Sequence, residues 1–156
     1  MLTIEVINNS EQFYGMRKEW NETLQKSGIE NPFLTHEFLS SWWRGYYKGK
    51  QLSVVAFKEG ARTFGFMPLV VVSTKLCGMS VQALQFFADH WGSMDFIVAE
   101  KKAECIEAFV EWFVSMKGCE VMLLSRLPKQ SENSAVLEQV LRDKKVNFEN
   151  RAMKNV

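Results

Sequence analysis

The sequence predicts a mixed α/β (α+β) domain, with helices packed on a central, mostly antiparallel sheet. Three observations carry that expectation. "LTIEVI", "LSVVAF", "RTFGFMPLVVV" and "VQALQFF" are alternating or β-branched runs, the last three separated only by short turn signals, as in hairpins. Apolar residues at helical spacing come before this hairpin block and again after it. "EVMLLS" is nearly continuous in apolar residues, as a strand buried on both faces tends to be. The 156 residues form one domain, 1–156, long enough to bury a core without staples.

The elements follow in order. "LTIEVI" is a first strand ending at Asn8-Asn9, and Ser10 caps a helix whose inward positions are Phe13, Met16, Trp20 and Leu24. Ser27-Gly28 ends it, because Gly takes the left-handed conformation of helix C-termini. Asn31-Pro32 is a turn, Thr35 caps the next helix, and Leu34 pairs with Leu39 as a hydrophobic staple. Phe38, Leu39, Trp42, Trp43 and Tyr46 then share an arc of about 140° on that helix. Phe38, Leu39 and Trp42 are its expected core residues.

A hairpin turns at Gly60, and Pro68, which lacks a ladder donor, marks a bulge or a parting of strands near Met67-Pro68. After the turn at Cys77-Gly78 come "VQALQFF" and a short extended "MDFIVA". A helix over 102–117 presents Ala103, Ile106, Phe109, Val110 and Phe113 inward and stops at Gly118. Then follow the strand "EVMLLS", the loop "LPKQSEN", and a helix capped by Asn133 or Ser134 with Val136, Leu137, Val140 and Leu141 inward. "VNFENR" begins a final strand.

Composition excludes several function classes. A net charge of +1, with short basic runs flanked by acids, gives no field for nucleic acid. The longest apolar run, "FGFMPLVVV", is too short to insert in a membrane. Three cysteines without CxxC spacing suggest neither a zinc site nor a disulfide framework. With no basic-then-apolar leader, the expectation is a cytoplasmic protein with reduced thiols. No GxxxxGK[ST], GxGxxG or HExxH occurs, so phosphate-loop and zincin chemistry have no support, and no metal ligands are assigned.

"ADHWGSMDF" is the most site-like segment. Asp89, His90 and Asp95 crowd a Gly- and Ser-containing strand-end loop around Trp91. An Asp–His pair holds an imidazole tautomer for base catalysis, which makes His90 and Asp95 the catalytic candidates. The competing reading is a strand-end turn whose Asp side chains bond local backbone. Trp43, Tyr46 and Tyr47, at the edge of the aromatic arc and beyond it, are expected with Asp89 and Trp91 to line a groove. His36 reads as a surface residue of a first helical turn.

In this order, "NPFLTHEFLSSWW", "GFMPL", "LQFFADHWGSMDFIV" and "VMLLSRLPKQSENSAVLEQVL" resemble the first half of the CelD-like proteins. Those are cellulose-biosynthesis-associated members of the GNAT acyltransferase superfamily. The resemblance implies a GNAT-like sheet lacking its last strand or strands, with acetyl-CoA or another acyl-CoA as the possible cofactor. In typical GNAT enzymes a Q/R-x-x-G-x-G/A turn and the following helix N-terminus hold the CoA pyrophosphate. This sequence has no such turn after "VQALQFF". Two readings stay open: a degenerate, non-catalytic module binding a small ligand or partner chain, or an active N-acyltransferase acting on an amine or sugar-linked acceptor. The resemblance also implies a partner, either a missing C-terminal GNAT-like half or a second copy forming a homodimer.

Overall fold

The computed structural model describes residues 1–88 and 91–151. Strand β1 (Thr3–Ile7) leads into a short helix α1 (Ser10–Tyr14) and a longer α2 (Arg17–Ser27). The sequence predicts one helix here, and Gly15 divides it into two. Asn9, rather than Ser10, is the cap: its side chain accepts from the Gln12 amide at 3.1 Å. Ser10 is occupied elsewhere, its hydroxyl accepting from Trp43 Nε1 at 2.9 Å. Gly28 ends α2 at φ 74, the left-handed cap expected there. A 3-10 turn (Pro32–Leu34) follows, capped by Asn31. Then comes α3 (His36–Tyr46), on whose cap Thr35 the Phe38 amide donates at 3.4 Å.

The strands β2 (Lys50–Leu52), β3 (Val54–Glu59), β4 (Arg62–Met67), β5 (Leu69–Leu76) and β6 (Met79–Phe86) follow, with β3–β4 and β5–β6 as hairpins and β2 paired to β5. After a loop come β7 (Ile97–Val98), α4 (Lys102–Ser115), β8 (Val121–Leu123) and α5 (Glu132–Asp143). One four-stranded unit has the order β1-β3-β4-β7, the other β2-β5-β6-β8. Among the described residues only β6 and β8 pair in parallel. The mixed, mostly antiparallel sheet with flanking helices therefore stands. No regular element covers 146–151, where the sequence suggests a strand.

Pro68 sits where the two units part. It closes β4 and precedes β5, and its carbonyl accepts from the Phe87 amide at 2.9 Å. Beyond Phe87 the chain leaves the sheet and returns as β7, which takes the place beside β4 that β6 does not reach. Gly65 makes that return possible, since a Cβ there would lie 2.4 Å from the Ile97 carbonyl oxygen. The bulge itself is earlier on β4, where Phe64 is the extra residue between the pairs Phe57–Gly65 and Lys58–Thr63.

The core is aromatic. Trp20 stacks on Phe66 at 4.6 Å and donates its indole N–H to the Leu34 carbonyl at 2.8 Å. On α3, Leu39 and Trp43 are buried while Phe38 and Trp42 are half-buried, so the expected ranking of the two tryptophans is reversed. The apolar arc is on the expected face of the helix, but its centre is rotated by one residue. His36 is also inside, 3% exposed, with Nε2 donating to the Phe13 carbonyl at 2.7 Å. It corrects the surface expectation: the break at Gly15 turns a helix-end carbonyl toward it. On α4, Ala103 is exposed and Cys105 takes the inward place expected of it.

Candidate functional site

The loop between β6 and β7 is held from two sides. Toward α3, Trp91 stands 6.1 Å from Tyr46, and Gly92 lies so close to Phe33 that a Cβ would meet its ring at 2.5 Å. Asn31 donates its side-chain amide to the Ser93 carbonyl at 2.9 Å. Toward α5, the Met94 amide donates to the Arg126 carbonyl at 3.3 Å. Both strand ends that border this loop are strained. Ala88 after β6 has φ 47 and Arg126 after β8 has φ 62, each costing an L-residue about 1–2 kcal/mol. Such strain is tolerated only where surrounding contacts impose it, and it concentrates at functional sites.

Asp95 is the centre of the second anchor. It is 7% exposed and has no basic partner among the described residues. Its Oδ1 accepts from the Phe96 amide at 2.8 Å and from Asn133 Nδ2 at 3.1 Å, and its Oδ2 accepts from the Ser131 hydroxyl at 2.8 Å. Ser131 is the N-cap of α5 and spends its hydroxyl on Asp95 instead of on the helix. The positive end of α5 thus faces a carboxylate of this chain. A carboxylate has about four acceptor positions, so Oδ2 keeps capacity for one more donor. Asn133 also donates to the Phe96 carbonyl at 2.9 Å, while its buried Oδ1 has no partner.

Beside this cluster lies an open cleft of about 360 Å³ lined by Ile29, Glu30, Asn31, Phe33, Ser93, Asp95 and Pro128. Among the described residues its lining carries two carboxylates and no basic side chain, with apolar walls from Ile29, Phe33 and Pro128. The arrangement suits a small cation with an apolar body.

The residues expected from sequence separate into three groups. Asp95 is at the cleft. Asp89 and His90 lie outside the described residues. Of the aromatic set, Tyr46 and Trp91 are 48% and 54% exposed and adjoin one another, with Trp42 stacked on Tyr46 at 5.7 Å. Trp43 is buried with its N–H satisfied, so it offers no face to a ligand, and Tyr47 packs beside it at 6.1 Å rather than beside Trp91. Sequence reasoning missed Glu30, Asn31, Ser131 and Asn133. Asn31 and Asn133 show in the sequence only as turn and cap residues, and the contacts that unite them span 36 to 62 positions.

The CoA expectation is tested by where α4 begins. Ala99 donates to the Phe64 carbonyl at 2.8 Å, Glu100 pairs with Arg62, and Lys101 pairs with Glu59. The first turn of α4 is therefore at the β3–β4 hairpin. Phe87, at the exit of β6, is instead beside Pro68, four strand residues or about 13 Å away. Phe86, Phe87, Met94 and Phe96 fill the region after β6 with buried apolar side chains. These residues do not fit a pyrophosphate, and no step through CoA follows from them.

No family model matches the chain, and no curated protein matches it significantly. Solved structures do share its fold. An integron cassette protein from the mobile metagenome of V. cholerae is similar with a TM-score of 0.52 at 9% identity, over 99% of this chain and 93% of that one. A ribosomal-protein-alanine N-acetyltransferase from Brucella melitensis gives 0.51 at 10% identity, covering 100% and 97%. A GNAT family acetyltransferase from Staphylococcus aureus gives 0.50 at 11% identity, covering 99% and 98%. At such identities the likeness is one of fold: the chain has the mixed α/β architecture of GNAT acetyltransferases.

Proposed function

We propose that this chain is a non-catalytic GNAT-fold module that binds a small amine through the acidic cleft beside Asp95. The observation that carries the reading is a buried carboxylate with spare acceptor capacity, facing a cleft whose described residues include a second acid and no base. A primary ammonium supplies the donors that Asp95 Oδ2 and Glu30 accept, and Ile29, Phe33 and Pro128 cover its carbon chain. Tyr46 and Trp91, which border the same loop, form an aromatic rim where a cation or a flat face is also welcome. In this reading acyl transfer has no part, which the buried apolar side chains of Phe86, Phe87, Met94 and Phe96 around the exit of β6 support. One solved protein of the same fold is an aminoglycoside acetyltransferase, and an aminoglycoside is an amine, so the reading keeps the acceptor side of that chemistry. The finer likeness to CelD-like proteins, and a cytoplasmic setting, belong to the same proposal.

Isothermal calorimetry decides it. Ethanolamine, putrescine, spermidine and an aminoglycoside are titrated into the protein, and acetyl-CoA separately. Saturable heat for at least one amine, lost in Glu30→Ala, together with no acetyl-CoA heat at millimolar ligand, is the expected result. Saturable acetyl-CoA binding with amine-dependent release of CoA thiol overturns the non-catalytic reading. No amine heat overturns the ligand.

A further inference from the structure

The β5–β6 hairpin outruns the sheet it belongs to. β2 pairs with β5 only from Val70 to Val72, and β8 pairs with β6 only from Ala83 to Gln85. Beyond them Thr74–Val81, Lys75–Ser80 and Leu76–Met79 pair with one another alone among the described residues, a two-stranded ribbon about 10 Å long. It turns at Cys77-Gly78, both at positive φ (49 and 79), as a tight two-residue connection requires. Paired residues share a face, so Thr74, Leu76, Met79 and Val81 lie on one side of the ribbon and Lys75 and Ser80 on the other. Leu76 and Met79 are 46% and 66% exposed. The net charge of +1 is unevenly spread around this ribbon. Segments 46–52, 69–82 and 113–120 meet at this end of the sheet, through the Lys50–Val72 pair and the bonds of Cys119 and Glu120 to Gln82. Their one acid is Glu120, whose carboxylate accepts from the Gln82 amide at 2.7 Å. Lys50 donates to the Tyr46 carbonyl. Lys48, Lys75 and Lys117 are exposed, with no acidic partner among the described residues.

We propose that the tip of this ribbon docks on an anionic lipid surface, with Leu76 and Met79 entering the boundary between headgroups and acyl chains and the three lysines facing lipid phosphates. An element with one apolar face and lysines on its polar side is suited to that boundary. Charge and shape choose the occupant. Tip-to-tip contact with a second copy would gather the same lysines with no unpaired acid in these segments to answer them. A stable protein interface takes about 800 Å² from each partner, more than a narrow tip with two large apolar side chains presents, whereas a bilayer accepts single side chains. The contact is peripheral. Among the described residues no helix is long and apolar enough to cross a membrane, and the open backbone edges of the ribbon keep it at headgroup depth, where water and phosphates satisfy them. It uses no residue of the Asp95 cleft, so it stands or falls independently of amine binding.

Vesicle co-sedimentation tests it, with melting temperature and far-UV circular dichroism as checks on folding. The whole chain is mixed with vesicles of pure phosphatidylcholine, or of an equal mixture with phosphatidylglycerol. Reversible binding to the mixed vesicles is expected, weaker on pure phosphatidylcholine and weakened by added salt. Lys75→Gln lowers the partition coefficient about fivefold, the share of one lysine near an anionic surface. Leu76→Ser/Met79→Ser lowers it by at least about tenfold while the chain stays folded, because both side chains leave water only on docking. A wild type that stays in the supernatant at the highest lipid concentration overturns the proposal. So does equal binding to both vesicles, or a double variant that binds as wild type does. Pelleting without vesicles that the double variant abolishes gives the tip to a second copy and overturns it too.

Discussion

The layer formed by α1, α2 and α3 and the loop that Asp95 anchors to α5 both bury polar groups, but they dispose of them differently. In the first layer each buried donor has an internal answer. Trp20 donates to Leu34, Trp43 to Ser10, and His36 to Phe13. In the second, among the described residues, Asp95 is buried without a cation and Asn133 Oδ1 is left without a partner. Native interiors satisfy nearly all such groups, so the second region carries polar capacity beyond its structural needs. The first is scaffold. The second is where a ligand has something to gain.

The largest effect expected from this contrast lies in the scaffold. Trp20 is fully buried, stacked on Phe66, and its N–H is bonded. Trp20→Ala removes about 3–5 kcal/mol, read as a lower urea midpoint. Trp43→Ala follows it closely, because the indole rests on Phe87 at 5.9 Å and its N–H holds Ser10. Trp42→Ala, at a half-buried position, costs about 1–2 kcal/mol. Equal losses for Trp42 and Trp43 remove the distinction between buried and rim positions on α3.

Asp95→Ala comes next, and it separates the regions most directly. The substitution leaves Ser131 and the Phe96 amide without their acceptor and Asn133 with only the Phe96 carbonyl, at about 1–3 kcal/mol, and abolishes amine heat in calorimetry. Ser131→Ala removes one donor and is expected to cost less while binding persists. A loss for Asp95→Ala that exceeds the one for Trp20→Ala makes the acid a keystone of the fold, and the contrast fails.

What is legible in the sequence follows the same division. The α3 arc, the Thr35 cap, the Gly28 stop and the strand parting at Pro68 depend on neighbours within a few residues, and the sequence shows them. The Trp42/Trp43 reversal is the limit of that method. An arc of about 140° names a face without fixing which of two adjacent residues points inward. Both indoles rest against Phe87, and the bond from Trp43 to Ser10, 33 positions away, is what separates them. His36 departs from its surface expectation because its partner carbonyl is 23 positions away. The cleft is half legible: Asp95 stands out in "ADHWGSMDF". Its partners Ser131 and Asn133 look like ordinary residues before a helix. Likewise "EVMLLS" reads as buried from composition, and topology places it at an edge.

The smallest expected effect sharpens the contrast from the other side. Glu37, on the scaffold, is an acid with a complete set of partners. Hydrogen bonds from Asn21 above all, then its own backbone amide and Arg17, lower its pKa to about 2. A folded-state pKa below the unfolded one contributes stability that is present above about 4.5 and lost as pH falls toward about 2. Arg17 and Glu37 are largely solvent-exposed, so water and salt screen the pair and the contribution is a few tenths of a kcal/mol, about that of a surface ion pair. Glu37→Gln should therefore be slightly less stable than wild type at neutral pH, with the difference vanishing by pH 2 in urea titrations. Added salt should shrink that difference, since the partner is a surface guanidinium. Asp95, held among the described residues by Ser131, Asn133 and a backbone amide rather than by a cation, should keep its contribution when salt is raised. If salt erodes both alike, Asp95 is answered by a charge after all, and its standing as the acceptor for an amine is lost.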